Sequence, residues 1–210
     1  MKRWLPLLIV VVLCSTSADV GAERNSHGAW TMHYAGPYDP AENTCGFEVT
    51  NCITQLEADA PSLPGRYDIY VIATNVEALA ATRFGLQCDG SFVFYGWTSC
   101  ADSEVHTSGW PGCGEGATLN WAAVQPPGNV TMGILEVYSY GAPSMLCAST
   151  DPRVGYAEWC DDWSPPVCFQ TTDVWRFGCV GFGCPGYQNC PPPLQVNQAT
   201  WGRIKALYRE

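Results

Sequence analysis

Cysteine is the residue type whose number and spacing most clearly indicate chemistry in this chain. The sequence has 210 residues and twelve cysteines, eleven of which follow Cys14. In an exported protein this density predicts a disulfide framework. Each disulfide contributes roughly 2–4 kcal/mol to stability, chiefly by restricting the unfolded chain. Because eleven is odd, one thiol is free, bonds to another molecule, or is buried and inert.

Two groups of cysteines have informative spacing. Cys45 and Cys52 lie close together in a loop rich in proline, aspartate and asparagine, and we expect them to form a local disulfide. Cys179, Cys184 and Cys190 are separated by four and five residues, whereas zinc sites usually take cysteines about two to four residues apart in matched pairs. We therefore interpret Cys179 and Cys190 as disulfide cysteines and predict neither a metal nor a cofactor.

The densest acidic cluster consists of Glu158, Asp161 and Asp162. Such carboxylates are able to bind calcium or to act as the carboxylate pair of a glycosidase. The sequence has no calcium-loop motif, and a carboxylate pair needs a cleft. We therefore interpret the cluster as a solvated loop and predict that the protein is not an enzyme. A hydrolase that uses these acidic residues is the second alternative.

The three histidines, His27, His33 and His106, do not occur in a metal-spaced cluster or beside a nucleophile-elbow motif. We expect His33 and His106 to be surface residues. The histidines therefore predict no catalytic or metal site.

Aromatic residues give the best indication of function, since the chain has nine tryptophans and ten tyrosines. Trp97, Trp110 and Trp121, together with Trp159 and Trp163, are candidates for a stacking platform that binds sugar rings. The other interpretation is that they fill a core that is short of leucine and isoleucine. If the tryptophans form a stacking platform, we expect the partner to be a polysaccharide. Otherwise the expected partner is another cell-surface protein.

The charge of the chain excludes some partners. The formal net charge is -10 at pH 7. An acidic surface repels nucleic acid and anionic membranes, so we expect neither as a partner.

The elements that position these residues are predicted to be β-strands. Residues 84–100 contain two alternating apolar runs around Asp89 and Gly90, a combination typical of a tight β-hairpin. Both faces of this hairpin are apolar, which predicts a central position in a sheet. A straight hairpin also separates Cys88 from Cys100 too far for a disulfide.

Further strands are predicted over residues 29–34, 67–73, 117–124 and 130–140. Short strands with frequent turn signals, and no helical periodicity before the end of the chain, indicate an all-β antiparallel sandwich.

Residues 1–22 have the pattern of a secretory signal peptide, with a basic start, a short apolar core and small residues at the exit. The apolar run is too short to cross a bilayer of about 30 Å as a helix, so we predict no membrane span. The mature protein is expected in the periplasm, at the cell surface or outside the cell.

The remaining chain is divided by composition. We assign residues 23–165 to the β-sandwich and residues 166–196 to an irregular appendage rich in cysteine, proline and glycine. Residues 197–210 form an amphipathic pattern, which predicts either a docked C-terminal helix or a tail recognised by an export or attachment machine.

Several motifs carry a resemblance to known proteins: Arg83-Phe84-Gly85-Leu86, Gly109-Trp110-Pro111-Gly112, Gly155-Tyr156-Ala157-Glu158, and residues 97–102 and 200–208. The chain resembles a group of uncharacterised exported proteins of environmental bacteria, a likeness that covers most of the mature chain and implies no known activity. Its strand-rich part is also distantly similar to cohesin-like and other immunoglobulin-like extracellular modules. The resemblance implies a disulfide between Cys100 and Cys160.

The sequence names no substrate, ligand or reaction. It predicts a secreted, disulfide-stabilised β-sandwich that acts as a non-catalytic extracellular binding or structural module. A carbohydrate-binding module that uses exposed aromatic side chains is the first alternative.

Overall fold

A computed structural model describes residues 26–141, 143–161 and 167–190. The predicted signal peptide, residues 1–22, and the predicted C-terminal helix, residues 197–210, lie outside the described residues, as do Asp162 and Trp163.

The described residues form mostly β-structure, with one short α-helix, α1 (Cys52–Gln55), and one 3₁₀ turn, Val174–Arg176. The strands are β1 (Ala29–Pro37), β2 (Asp59–Ala60), β3 (Gly65–Val76), β4 (Leu79–Asp89), β5 (Phe92–Ser99), β6 (Ser103–His106), β7 (Gly116–Gln125), β8 (Gly128–Ser139), β9 (Ser144–Ser149), β10 (Ala157–Cys160), β11 (Cys168–Thr171) and β12 (Cys179–Phe182).

The strands form two sheets. Sheet A has the order β1-β3-β8-β5 and is antiparallel throughout. Sheet B has the order β11-β10-β4-β9-β12-β2, and β7 also pairs with β4 and carries β6 at its side. The short β2 pairs with β12 in parallel, so the prediction of a wholly antiparallel arrangement is wrong at this edge.

Residues from both sheets share one buried apolar cluster. In β3 the alternation places Tyr67, Ile69 and Val71 in this cluster, because successive side chains of a strand point to opposite faces. Trp30 of β1 stacks on Trp159 of β10 with ring centroids 3.3 Å apart, which joins the two sheets through aromatic contact.

The hairpin predicted at Asp89 and Gly90 does not form. β4 pairs with β9 through Asp89, whereas β5 pairs with β8 in the other sheet. Phe84 and Leu86 therefore belong to the same core cluster as Phe92, but they reach it from the other sheet. The apolar character of both runs reflects this shared core and not a pair of adjacent central strands.

The predicted irregular appendage is also wrong over its described part. Residues 168–171 and 179–182 are strands of sheet B, and β12 lies between β9 and β2. Phe177, Val180 and Phe182 are buried in the main cluster. Short strands interrupted by glycine and cysteine lack the periodicity that reveals a strand in a sequence, so their burial depends on the neighbouring strands.

Five disulfides join the described cysteines: Cys45–Cys100, Cys52–Cys190, Cys88–Cys113, Cys147–Cys179 and Cys160–Cys168. Among the described residues Cys184 is a free thiol. This framework indicates an oxidising compartment such as the periplasm or the extracellular space. No helix in the described part of the chain combines the length and the apolarity needed to cross a membrane.

The expected pairs Cys45–Cys52 and Cys100–Cys160 do not form. Cys160 lies directly opposite Cys168 in the β10–β11 pair and bonds to it, so it is not available to Cys100. Cys45 bonds to Cys100 because the loop after β1 extends to the end of β5. The partners are set by strand pairing and loop path, which sequence spacing does not determine.

Cys179 and Cys190 are disulfide-bonded, but to distant partners. Cys179 lies opposite Cys147 in the β9–β12 pair, and their Cα atoms are 4.0 Å apart. Cys190 bonds to Cys52, which is 138 residues away in the sequence. The Cys88–Cys113 bond joins β4 to the loop before β7.

Candidate functional site

The predicted tryptophan platform is not assembled as an exposed row. Trp97 and Trp110 meet edge to face, with centroids 5.3 Å apart and planes at 80°, and both contact Phe84. Trp121 is only 4% exposed, and its indole nitrogen donates to the carbonyl of Cys100 at 3.2 Å. These rings pack against the core, so the interpretation that they fill it is the one that fits their positions.

Trp97 illustrates how closely this packing is fitted. A Cβ atom at Gly133 would lie 2.2 Å from the Trp97 ring, so a glycine is required where the ring crosses β8. The indole nitrogen of Trp97 donates to Glu104 at 2.8 Å. The ring and its polar edge are thus engaged within the protein, although the residue is only partly buried.

The acidic residues near β10 have structural partners. Asp161 is buried and accepts a hydrogen bond from the backbone N–H of Val167 at 3.2 Å. Glu158 accepts from Gln170 at 2.6 Å and lies 4.0 Å from Arg83. Both carboxylates are therefore engaged in hydrogen bonds or an ion pair within the protein.

A second buried carboxylate lies close by. Asp151 is fully buried, and both of its oxygens accept from the Nε of Arg153, at 3.0 and 2.9 Å. Arg83 lies 3.9 Å from the same carboxylate and also donates to the Tyr156 hydroxyl at 3.3 Å. The two arginines compensate the buried charge, which is the usual requirement for burying a carboxylate.

Glu158, Cys160 and Cys168 bring ligand-type atoms within 4.8 Å of one another. The two sulfur atoms are bonded to each other, however, and zinc takes cysteine as a thiolate. This cluster in its oxidised state therefore lacks the thiolates that a metal site would need.

His33 differs from its predicted surface position, because it is 9% exposed. Its ring stacks on Phe47 and Tyr70, with centroids 5.1 and 6.1 Å apart. The Nδ1 atom accepts from the backbone N–H of Glu57 at 2.8 Å. Burial lowers the pKa of His33. This effect is larger than the opposite effect of the Glu57 carbonyl, which lies 3.4 Å from Nδ1 and favours a protonated ring.

His33 lies beneath a loop that covers half of the outer surface of sheet A. Residues 38–57 place Val49 and Leu56 over Tyr70, Ile72 and Ile134 in a second buried cluster. The disulfides that involve Cys45 and Cys52 attach this loop to the rest of the chain. We call this part of sheet A the covered half.

The other half of that surface is open and carries tyrosines around one arginine. We define the tyrosine face as Tyr38, Arg66, Tyr95, Glu136, Tyr138 and Tyr140. Strand pairing sets this arrangement, since Arg66 of β3 lies opposite Tyr138 of β8, which lies opposite Val93 of β5. The alternation that turns Tyr67 into the core turns Arg66 outward.

Arg66 organises the tyrosine face. Its guanidinium carbon lies 3.7 Å from the ring centroid of Tyr38 and 4.9 Å from that of Tyr95. Arg66 also forms an ion pair with Glu136. Tyr138 and Tyr140 meet edge to face with centroids 5.1 Å apart. Stacking and ion pairing hold exposed side chains in one geometry, which lowers the entropic cost of binding.

The two ends of the face are fixed by the backbone. Asp68 is 3% exposed and accepts from the backbone N–H of Asp39 at 2.9 Å and from the Asn43 amide at 2.7 Å, which anchors the chain next to Tyr38. Tyr95 occurs where the β5–β8 register shifts between Phe94 and Gly96, a β-bulge. Bulges redirect a side chain locally, and here the tyrosine is 59% exposed.

A separate groove of about 450 Å³ is lined in part by residues of β4 and β9 in sheet B. Gln87, Asp89, Ser149 and Thr172 are among its lining residues. The neighbouring Trp175 is 82% exposed. Trp175 does not stack on another ring or cation within the described part of the chain.

The tyrosine face was not predicted from the sequence. The available signals were the alternation of Glu136, Tyr138 and Tyr140 in a predicted strand and the acidic and basic residues that flank Tyr67. These patterns place residues on one side of a strand but do not tell which side remains open. Comparisons with protein-family models, with curated proteins and with solved structures find no match for this chain.

Proposed function

We propose that this protein is a secreted module whose two sheets pack as a β-sandwich, with an immunoglobulin-like or cohesin-like arrangement, and that it binds an extracellular partner without catalysing a reaction. The tyrosine face is the binding surface. The exported chain begins after the signal peptide, residues 1–22, and works in the periplasm, at the cell surface or outside the cell.

One observation carries this proposal. Arg66 is stacked on two tyrosines and ion-paired with Glu136 on an open part of the surface, where such order is not needed to fill a core. Tyrosine and arginine are the residue types that dominate binding surfaces. The five disulfides support the assignment, because cross-links preserve a binding surface under oxidising conditions outside the cell.

The test measures binding and turnover together. The chain is produced by export, so that its disulfides form, and thiol titration of the unfolded protein checks for about one free thiol, which Cys184→Ser removes. Sedimentation with an insoluble bacterial envelope fraction is then expected to reveal saturable binding. Reduced and alkylated protein is the control, and it should not bind because its fold is lost.

The same samples test for catalysis. Release of soluble sugar or peptide fragments from the envelope fraction should not exceed that of the reduced control. Fragment release that grows with time and protein concentration would contradict a non-catalytic role, as would the absence of any saturable binding.

A further inference from the structure

We propose that the tyrosine face binds an uncharged polysaccharide chain. This inference rests on the proposed binding function and names the class of partner. It depends on four features of the described residues: the exposed rings, the ion pair at their centre, the charge of the protein, and a hollow at one end of the face.

The exposed rings provide stacking surfaces. Tyr95 and Tyr140 are 59% and 57% exposed, and Tyr38 is 36% exposed. Aromatic rings carry a negative face, which attracts the polarised C–H groups of a sugar ring. Tyr38 and Tyr95 both contact Arg66, and Tyr140 contacts Tyr138 opposite Arg66, so the rings form one continuous surface.

The ion pair at the centre favours a glycan over a protein partner. Arg66 and Glu136 lie among the tyrosines, with side chains 43% and 17% exposed. The dry centre of a protein interface accepts arginine but is poor in acidic residues such as Glu136, because covering an ion pair removes the hydration of both ions. Sugar hydroxyls donate and accept hydrogen bonds and can replace that hydration. A glycan therefore covers this centre at a lower cost.

The charge of the protein favours an uncharged glycan. Arg66 is the cation of the face, and Glu136 compensates it. The chain as a whole has a formal net charge of -10. An anionic polymer would meet long-range repulsion from the protein and a cation that is already paired.

A hollow extends the surface beyond Tyr140. It has a volume of about 550 Å³ and is lined by residues that include Val93, Tyr140 and Ser144. Ser144 is 5% exposed, and its hydroxyl has no hydrogen-bond partner among the described residues. That hydroxyl oxygen is itself inaccessible, so what the hollow offers a ligand is the apolar and aromatic surface of residues such as Val93 and Tyr140.

Affinity electrophoresis of the exported chain tests the inference. The gels contain xyloglucan, galactomannan, laminarin or dextran as uncharged probes and polygalacturonate as the anionic probe. We expect at least one uncharged polysaccharide to retard the protein. Tyr95→Ala and Tyr140→Ala should each weaken the association constant about tenfold, the effect of losing one ring contact. Trp175→Ala removes an exposed ring outside the tyrosine face, so it is the matched control and should leave retardation unchanged.

The remaining outcomes overturn the inference. These are retardation by polygalacturonate alone, no retardation by any probe, and retardation that is lost in Trp175→Ala but kept in Tyr95→Ala. The envelope assay separates this failure from a failure of the proposed function. If envelope binding persists without polysaccharide binding and is abolished by protease treatment of the envelope, the module binds a protein. If neither assay detects binding, both proposals fail.

Discussion

The covered half and the open half of sheet A share the same strands but differ in chemistry. The covered half presents Ile72 and Ile134 beneath a loop attached by disulfides. The open half presents the tyrosine face, which Arg66 orders without any cover. Aliphatic side chains are stabilised by removal from water, whereas tyrosines tolerate exposure and remain available for contact. We therefore expect mutations in the covered half to change stability and those in the open half to change binding.

The largest effect is expected from removing the Cys52–Cys190 disulfide. The double variant C52S/C190S should lower the free energy of unfolding by about 4–5 kcal/mol, the upper end of the range for one disulfide, because the bond closes a long loop in the unfolded chain. Urea unfolding followed by tryptophan fluorescence measures this change. Polysaccharide retardation should persist under conditions where the variant is folded.

The matched control for this prediction is C160S/C168S. That disulfide has a sequence separation of 8, against 138 for Cys52–Cys190. A shorter loop restricts the unfolded chain less, so the loss of stability should be smaller. Equal losses, or a larger loss in the control, would contradict the dependence of the stabilisation on the length of the closed loop.

The next effect is expected at Ile72, which is fully buried in the second cluster. Ile72→Ala should lower the free energy of unfolding by about 2–5 kcal/mol, because it removes buried methyl groups and leaves a cavity. Urea unfolding measures the loss, and affinity electrophoresis should detect no weakening of polysaccharide binding. A loss below about 1 kcal/mol would mean that the loop does not pack firmly on this half.

A pH-dependent effect is expected at His33, also in the covered half. Burial lowers its pKa from the ordinary value of 6.5 in the folded protein, so the unfolded chain binds a proton first as pH falls. The stability that the neutral His33 ring contributes is therefore fully present above about pH 6.5. It declines below that pH as the pH approaches the lowered pKa of His33 in the folded protein. Urea unfolding between pH 7.5 and pH 5.5 (about the range in which histidine titrates) measures the decline.

The control for the pH effect is His33→Gln, which lacks a titrating ring. Its stability should be lower than that of the parent at pH 7.5, and it should change less with pH over the same range. If the stability of His33→Gln declined as steeply with falling pH as that of the parent, other titrating groups would be responsible for the pH dependence. Tyr95→Ala, in the open half, should keep the pH dependence of the parent.

Local patterns in the sequence were sufficient to find the long strands. The apolar and β-branched residues from 67 to 73 lie within β3, and the alternating residues from 130 to 140 overlap most of β8. A strand of this length reveals itself because its side chains alternate between the core and the opposite face. The predominance of β-structure follows from such segments alone.

Features that depend on distant residues were not predictable in this way. Gly90 has φ 109°, which suits a tight turn, yet the chain uses it to pass from one sheet to the other. A positive φ is a local property, whereas the sheet that each strand joins is decided by the whole core. The partners of Cys45 and Cys160 depended on the same long-range topology.

The tyrosine face could not be predicted from the sequence for a related reason. The outward positions of β3 include both Tyr70, which is buried, and Arg66, which is exposed. Their difference arises from the path of residues 38–57, which cover one and not the other. Strand periodicity assigns both residues to the same side of the sheet, so it cannot separate a covered surface from an open one.

The smallest effect on stability is expected at Tyr95, where the contrast between the two halves is sharpest. Tyr95→Ala removes an exposed ring that lies 4.9 Å from the Arg66 guanidinium, and such a contact at the surface contributes at most about 1 kcal/mol. Urea unfolding should therefore detect little change, although we expect the same variant to weaken retardation by an uncharged polysaccharide. A loss of stability above about 2 kcal/mol, of the order expected for a buried side chain, would mean that Tyr95 supports the fold. A small loss of stability together with weakened binding would instead show that the open half of sheet A serves binding, whereas the covered half stabilises the fold.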